Sequence, residues 1–343
     1  MMRRKNRKKW AALFAILMAA IVLLLLIMAC YTYWRLDRLS ENAVPFVGED
    51  MENPGSNLIP SGQEAEANPE TENPQEKTKE QVATLFKEIY HEDVINILLI
   101  GQDTQSGDHG RSDTMILLSN NQKERSVCLI SFMRDILIPI EGRGLDRLNH
   151  AYSYGGPGLC INTINQNFDL DIQKYVVIHF DEMIELIDLI GGIDVSLSKE
   201  EAALYNGRFG WNLQEGVNHL AGQMALSHSR NRTIGSDFER TRRQRDILVA
   251  VYNRLLEHGG RENIFHLIDL VNQVSKMVRT NMSPWEIIAL ANNNINKDTD
   301  IEISLDRIPI DGTWKSQTYS GMRILKTDIE ANREHLRSLI YAE

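Results

Sequence analysis

The feature that most constrains this chain is a run of 21 consecutive apolar residues, Trp10 to Cys30, with six basic residues immediately before it. As a helix the run rises about 31 Å, the thickness of one hydrocarbon core. It reads as a transmembrane helix. Arg3, Arg4, Lys5, Arg7, Lys8 and Lys9 predict a cytoplasmic N-terminus by the positive-inside bias, with Trp10, Tyr31, Tyr33 and Trp34 as interfacial belts. Everything beyond Trp34 is therefore expected outside the cytoplasm. A cleaved signal peptide is the competing reading, but signal h-regions span only about 7–15 residues. Lipoprotein processing at Cys30 is a further alternative, and Met28 fits that pattern poorly.

Charge divides the rest. Of a formal net charge of −10, the basic tip 1–9 contributes +6, which leaves −16 on residues 10–343. Residues 41–80 hold five of the nine prolines and ten acidic residues against two lysines. Such a segment buries too little apolar surface to offset its ordering entropy. The organisation expected is a cytoplasmic tip (1–9), a membrane anchor (10–34), an acidic flexible stalk (35–80) and one folded extracytoplasmic domain (81–343).

Within that domain, Val94 to Ile100, Met115 to Leu118 and Val127 to Phe132 are apolar runs too short for buried helices, and they predict central strands covered on both faces. Lys174 to Phe180, rich in β-branched residues, and Gly191 to Val195, after a Met183 to Ile190 helix, predict two more. Helices are expected over 237–258, 261–277, 283–292 and 327–341, with a strand around Ile301 to Ile308. This alternation predicts an α/β fold, a layered α-β-α domain with a mixed central sheet. Cys128 and Cys160 lie in apolar or helical contexts and read as buried free thiols rather than a disulfide.

Asp103 follows the first strand and Asp113 opens the second, so two carboxylates meet at one rim of the sheet. Such a pair can hold a hard divalent cation that takes its remaining ligands from water and phosphate, although turn and cap roles are equally open to it. Arg134-Asp135 ends the third strand. Arg230, Arg232, Arg240, Arg242, Arg243 and Arg245 then crowd 16 residues of an otherwise acidic domain. Ser236-x-x-Glu239 has the form of a capping box and predicts a helix start. At about 100° per residue, Arg240, Arg243 and Gln244 share a stripe with Ile247, Leu248, Val251 and Leu255, while Arg242 and Arg245 point elsewhere. Buried guanidinium groups require an anionic partner, either a structural carboxylate or a bound phosphate or pyrophosphate. Nucleic acid is excluded as that partner: the arginine run lacks an aromatic platform, the domain is acidic, and the anchor puts it outside the cytoplasm.

Taken together, Asn96 to Asp103, Arg111-Ser112-Asp113-Thr114-Met115, Arg134-Asp135, Arg147 to Tyr152 with Tyr154-Gly155-Gly156, Arg230-Asn231-Arg232 and Asp237 to Arg240 resemble the LytR-CpsA-Psr family of bacterial cell-envelope proteins. Tyr175 to Asp181 and Leu189 to Val195 fit the same pattern, and the resemblance covers about residues 90–343. It implies a membrane-anchored phosphotransferase that moves a glycopolymer from a polyprenyl pyrophosphate carrier to a peptidoglycan hydroxyl. Asp103 and Asp113 would bind Mg²⁺, with Mn²⁺ as the alternative ion. A carboxylate not consumed by the metal, Asp113 before Asp103, would accept the hydroxyl proton, with Arg134 completing the catalytic set. Arg111, Arg134, Arg230, Arg232, Arg240, Arg243 and Gln244 would clamp the pyrophosphate. Two positions depart from the family pattern: Met133 stands where proline is common, and Arg245 where a second glutamine is frequent.

Overall fold

β-branched and leucine-rich runs build the centre of this fold because both faces of its main sheet are covered. The computed structural model describes residues 93–102, 112–258, 264–295 and 301–341. The expected anchor and stalk, together with Asp103 and Arg111, lie outside the described residues. Among the described residues no helix is long and apolar enough to cross a membrane.

In chain order the strands are β1 (Val94–Gln102), β2 (Ser112–Asn121), β3 (Ser126–Phe132), β4 (Leu137–Ile140), β5 (Gly144–Arg147), β6 (Lys174–His179), β7 (Ile193–Leu197), β8 (Gly216–Leu220), β9 (Val278–Thr280), β10 (Glu302–Ile308), β11 (Trp314–Tyr319) and β12 (Met322–Thr327). The helices are α1 (Leu148–Phe168), α2 (Phe180–Leu189), α3 (Lys199–Phe209), α4 (Gly222–Ser229), α5 (Asp237–His258), α6 (Ile264–Val274), α7 (Pro284–Ile295) and α8 (Ile329–Tyr341). The main sheet runs β10-β3-β2-β1-β6-β9. It is mixed: β1 pairs parallel with β6 and β3 with β10, while β2 runs antiparallel to both β1 and β3.

Strand alternation sorts the side chains into layers. Leu98, Ile100, Met115, Leu117, Ile130 and Phe132 pack with Tyr152, Ile164 and Phe168 of α1 and Leu336 and Ile340 of α8. Ile116 and Leu129 alternate onto the opposite face, where they too are buried. On that side α5 reaches the sheet through Arg245, whose Nη1 donates to Ser131 Oγ at 2.7 Å. Its Ile247 and Ala250 join a second cluster with Ile187 of α2, Val195 of β7, Tyr205 of α3 and Ala225 of α4. The α-β-α arrangement with a mixed sheet is therefore present.

Several details differ from the sequence reading. Residues 193–197 pair with β8 in a separate ribbon rather than joining the main sheet. Helix α1 is not legible as one period because Gly155-Gly156-Pro157 interrupts it, with Gly156 at φ 62°. Helix α5 starts at Asp237 as expected, but Glu239 pairs with Arg242 and a capping box stands elsewhere. At the start of α3, Ser198 N–H donates to Glu201 Oε2 at 2.9 Å, and Glu201 N–H to Ser198 Oγ at 3.2 Å. Cys128 and Cys160 are free and buried, and burial pushes the Cys160 thiol up to about 12.

Helix α4 approaches α2 closely at Gly222, whose N–H donates to Asp188 Oδ1 at 2.7 Å. A Cβ there would lie 2.3 Å from the Ile184 carbonyl oxygen, and backbone cannot move aside as a side-chain tip can. Gly222→Ala is expected to lower stability by about 1–3 kcal/mol, the usual range for overpacking, measured as a reduced urea midpoint at unchanged m-value.

Candidate active site

Strands β1, β3 and β6 end at one rim of the sheet, where Gln102 pairs with both His179 and Ser112, the first residue of β2. Thr114 presses close here: a Cβ on Gly101 would sit 3.0 Å from Thr114 Cβ. Asp113 at this rim accepts from Arg134 Nη1 at 2.6 Å, and its second oxygen lies 3.9 Å from Arg232 Nη2. Arg134 stands just past β3, with its Nε 3.8 Å from carboxylate oxygens of both Asp135 and Asp237. Burial works against the Arg134 charge, yet Asp113, Asp237 and Asp135 hold its pKa above the ordinary arginine value.

The first turn of α5 supplies the opposite wall. Arg240 is buried against Asp237, with Nε 3.0 Å from Oδ1 and Nη2 3.1 Å from Oδ2. Burial pushes the Arg240 pKa down; Asp237 opposes this, and the nearby Arg134 and Arg232 add to it. Arg134, Arg232 and Arg240 thus face two carboxylates, Asp113 and Asp237, while Asp135 is shared with Arg147 at 3.2 Å. Among the described residues the cluster carries an excess of positive charge, and Arg134 Nε and the buried Ser112 Oγ have no hydrogen-bond partner; Gln244 Oε1, one turn further along α5, has none either. Arg230 stands beside it, its guanidinium 4.8 Å from the centre of the Phe180 ring.

Arg243 is not part of this wall, which corrects its expected place among the pyrophosphate ligands. Its side chain is 2% exposed and its Nε donates to Glu201 Oε1 at 2.6 Å. Its Nη1 donates to the Asn231 carbonyl at 3.1 Å and its Nη2 to that of Ile234 at 2.7 Å. The structural carboxylate, one of two partners left open by the sequence, is the partner found, and Arg243 instead pins the loop that bears Arg230 and Arg232. Arg245 is corrected too. It is buried against β3, because α5 lies between the sheet and the second cluster and so buries more than one stripe. Arg242 is exposed as expected, held by Glu239 and Asp246.

Other groups near the rim carried no role in the sequence reading. Arg279 of β9 donates to Tyr152 Oη at 2.8 Å, which in turn donates to Gln102 Oε1 at 2.9 Å. Arg147 joins Asp135 to His150, and His150 joins Asp146 at 2.9 Å. Arg279 arrives from a distant part of the chain on a three-residue strand, so no local pattern marks it. Arg147 lies within a motif quoted for the family resemblance, two residues before Asn149, whose buried Oδ1 has no hydrogen-bond partner among the described residues.

Behind the loop, Asn231 Nδ2 donates to Tyr205 Oη, which meets His228 Nδ1 at 3.0 Å. Burial pushes the His228 imidazole down to about 4, against the pull of Glu201 and with the help of Arg243. Burial opposes ionisation of Glu201 as well, but the Ser198 N–H, Arg243 and His228 hold its pKa below the carboxylate norm. In the unfolded chain His228 takes a proton near pH 6.5, so stability is complete above that value and falls as pH drops toward 4. The loss of charge stabilisation at Glu201 acts in the same direction. A urea midpoint lower at pH 4.5 than at pH 7, with the difference reduced in His228→Gln, is the expected outcome.

No metal cage is built from protein alone: among the described residues no three His, Cys, Asp or Glu side chains converge to hold an ion. Asp113 still fits Mg²⁺, which commonly takes one or two carboxylates and fills the rest with phosphate and water. Only one of its oxygens is bonded to Arg134.

The model of the LytR_cpsA_psr family matches residues 58–338. The chain belongs to this family. A curated relative from Oceanobacillus iheyensis, named polyisoprenyl-teichoic acid--peptidoglycan teichoic acid transferase TagU, is 32% identical over 69% of this chain and 74% of its own. The TagU of Halalkalibacterium halodurans is 35% identical over 58% of this chain and 66% of its own. Among solved structures, Bacillus subtilis TagV shares 26% identity with a TM-score of 0.60, covering 73% of this chain and 98% of that one. Both family departures touch β3 in this member. Met133 donates its N–H to the Ile308 carbonyl at 2.8 Å, a bond proline cannot make, and Arg245 bonds Ser131.

Proposed function

We propose that this protein is a phosphotransferase that moves a glycopolymer from a polyprenyl pyrophosphate carrier to a hydroxyl of peptidoglycan. The observation that carries the reading is the excess of arginine over carboxylate at the sheet rim, where Arg134, Arg232 and Arg240 crowd Asp113 and Asp237. Planar guanidinium groups suit pyrophosphate oxygens, and a dianionic ligand would relieve their mutual repulsion. The names carried by the TagU relatives supply the same carrier, polymer and acceptor.

In this reading Arg134, Arg230, Arg232, Arg240 and Gln244 bind the pyrophosphate, and Arg111 joins them. The acceptor oxygen attacks the phosphorus that bears the glycopolymer, the bridging P–O bond breaks, and polyprenyl phosphate leaves with its charge stabilised by the arginines. The carboxylate of the two that the metal does not take up, Asp113 before Asp103, accepts the hydroxyl proton. Mg²⁺, with Mn²⁺ as its substitute, would be held from Asp113 or Asp103 and would neutralise phosphate charge. The Trp10–Cys30 run would anchor the chain with its N-terminus in the cytoplasm and the folded domain outside, within reach of a lipid-borne substrate.

The test is product analysis with full-length protein in detergent, lipid-linked glycopolymer and Mg²⁺, with and without peptidoglycan. A phosphodiester-linked conjugate that forms only with acceptor, and stops on chelation or in Asp113→Ala, is expected. Free glycopolymer phosphate released equally without acceptor would make the protein a carrier hydrolase. Tight lipid binding without any product would make it a scaffold or sensor of the envelope.

A further inference from the structure

Beside the arginine cluster, a groove of about 360 Å³ runs between α3, α4 and the loop that follows α4. Arg230 and Arg232 line it, Arg232 also facing Asp113 of the cluster, and so do Arg208 and Phe209 at the C-terminus of α3. Three of its eleven lining residues are arginine and none is acidic, although the chain as a whole is at −10. Arg208 lies in the last turn of α3, where a cation meets the carbonyl end of the dipole. Its guanidinium lies 5.3 Å from the centre of the Phe209 ring, and Phe209 itself stacks on Trp211 with centroids 4.5 Å apart. Phe209 is 43% exposed and so presents its ring to a ligand in the groove.

We infer that this groove binds the anionic, phosphodiester-bearing part of the glycopolymer as it leads away from the pyrophosphate, with Arg208 on a backbone phosphate and Phe209 against sugar or polyol C–H groups. The inference rests on the phosphotransferase reading and deepens it: the same arginines that hold the pyrophosphate open the groove, so a chain attached there has a cationic path to follow. Charge placement favours the donor polymer. Peptidoglycan carries its carboxylates on stem peptides and none along the sugar backbone, whereas a phosphate at each repeat of the chain itself gains a charge-assisted hydrogen bond from an arginine. A volume near 360 Å³ is at the lower end of the range for ligand pockets, enough for one repeat at a time rather than a whole chain.

The experiment uses full-length protein in detergent and two soluble probes, a synthetic glycerol-phosphate hexamer and a neutral chitin tetramer, with binding followed by calorimetry. The hexamer is expected to bind, about tenfold more weakly to Arg208→Gln and more weakly again in higher salt, while the chitin tetramer does not compete. In turnover, the preference for a lipid-linked substrate with several phosphodiester repeats over one with none is expected to fall by a similar factor in Arg208→Gln and in Phe209→Ala. A general folding defect would lower both substrates alike and leave that preference intact. Equal hexamer binding by wild type and Arg208→Gln, or competition by chitin, overturns the inference. Transfer without hexamer binding removes the groove alone, whereas hexamer binding without transfer removes the phosphotransferase reading and leaves the groove.

Discussion

Arg240→Met is expected to lower kcat/KM by about two to three orders of magnitude while leaving the protein folded, the cost typical of removing one preorganised donor from an anionic transition state. The substitution keeps the packing of the aliphatic stem and removes only the charge. Stability should change little, because the folded state already bears a penalty for that charge. Burial pushes the Arg240 pKa down, and Arg134 and Arg232 add to the penalty. Asp237 would not be stranded by the change, since Arg134 Nε is 3.8 Å from it. Steady-state kinetics and a urea titration on the same preparation decide the matter. Near-normal turnover in a folded Arg240→Met protein would remove this arginine from the site.

Glu201→Ala should behave in the opposite way. It leaves the Arg243 guanidinium buried without its carboxylate, a loss of about 3–5 kcal/mol for a buried pair broken on one side. The same carboxylate caps α3, so that helix also loses one arm of its box. Activity should fall because Arg243 no longer fixes the carbonyls of Asn231 and Ile234, which flank Arg232 in the chain. The double variant Glu201→Ala/Arg243→Leu should recover part of the stability, since an apolar pair of similar volume avoids the stranded charge. Recovery of stability without recovery of activity would separate the fold's need for the pair from the loop's. A Glu201→Ala protein with an unchanged urea midpoint would refute the assignment.

The sequence was a good guide where periodicity and burial coincide. Helix α5 starts and ends at the expected residues, and strands β1, β3, β6 and β10 lie on the expected apolar runs; burial follows the run closely in β1 and β3, while β10 buries only Ile308. It was a poor guide where packing from elsewhere decides. A helical wheel treats α5 as having one partner; the structure gives it two, so Arg245 is buried beyond the expected stripe. The same wheel placed Arg240 and Arg243 together without distinguishing them. Their separation depends on Glu201, 42 residues away from Arg243, which no local pattern announces. Strand β7 was expected and alternates strictly through Ile193, Val195 and Leu197, whereas its partner β8 and the hairpin β11–β12 are short and carry many exposed residues, so their pattern is weak in the sequence.

Arg240 and Arg243 stand three residues apart on one helix, and the fold assigns them different tasks: one faces the rim, the other locks the loop above it. The division depends on counting. A single residue inserted between them would turn everything downstream by about 100° and shift it by about 1.5 Å. Arg243 would then swing away from Glu201, Arg245 from Ser131, and Ile247 from its cluster, while Arg240 stayed where it was. Many changes of side chain along the exposed side of α5 should be tolerated, but a change of length in its first two turns should not.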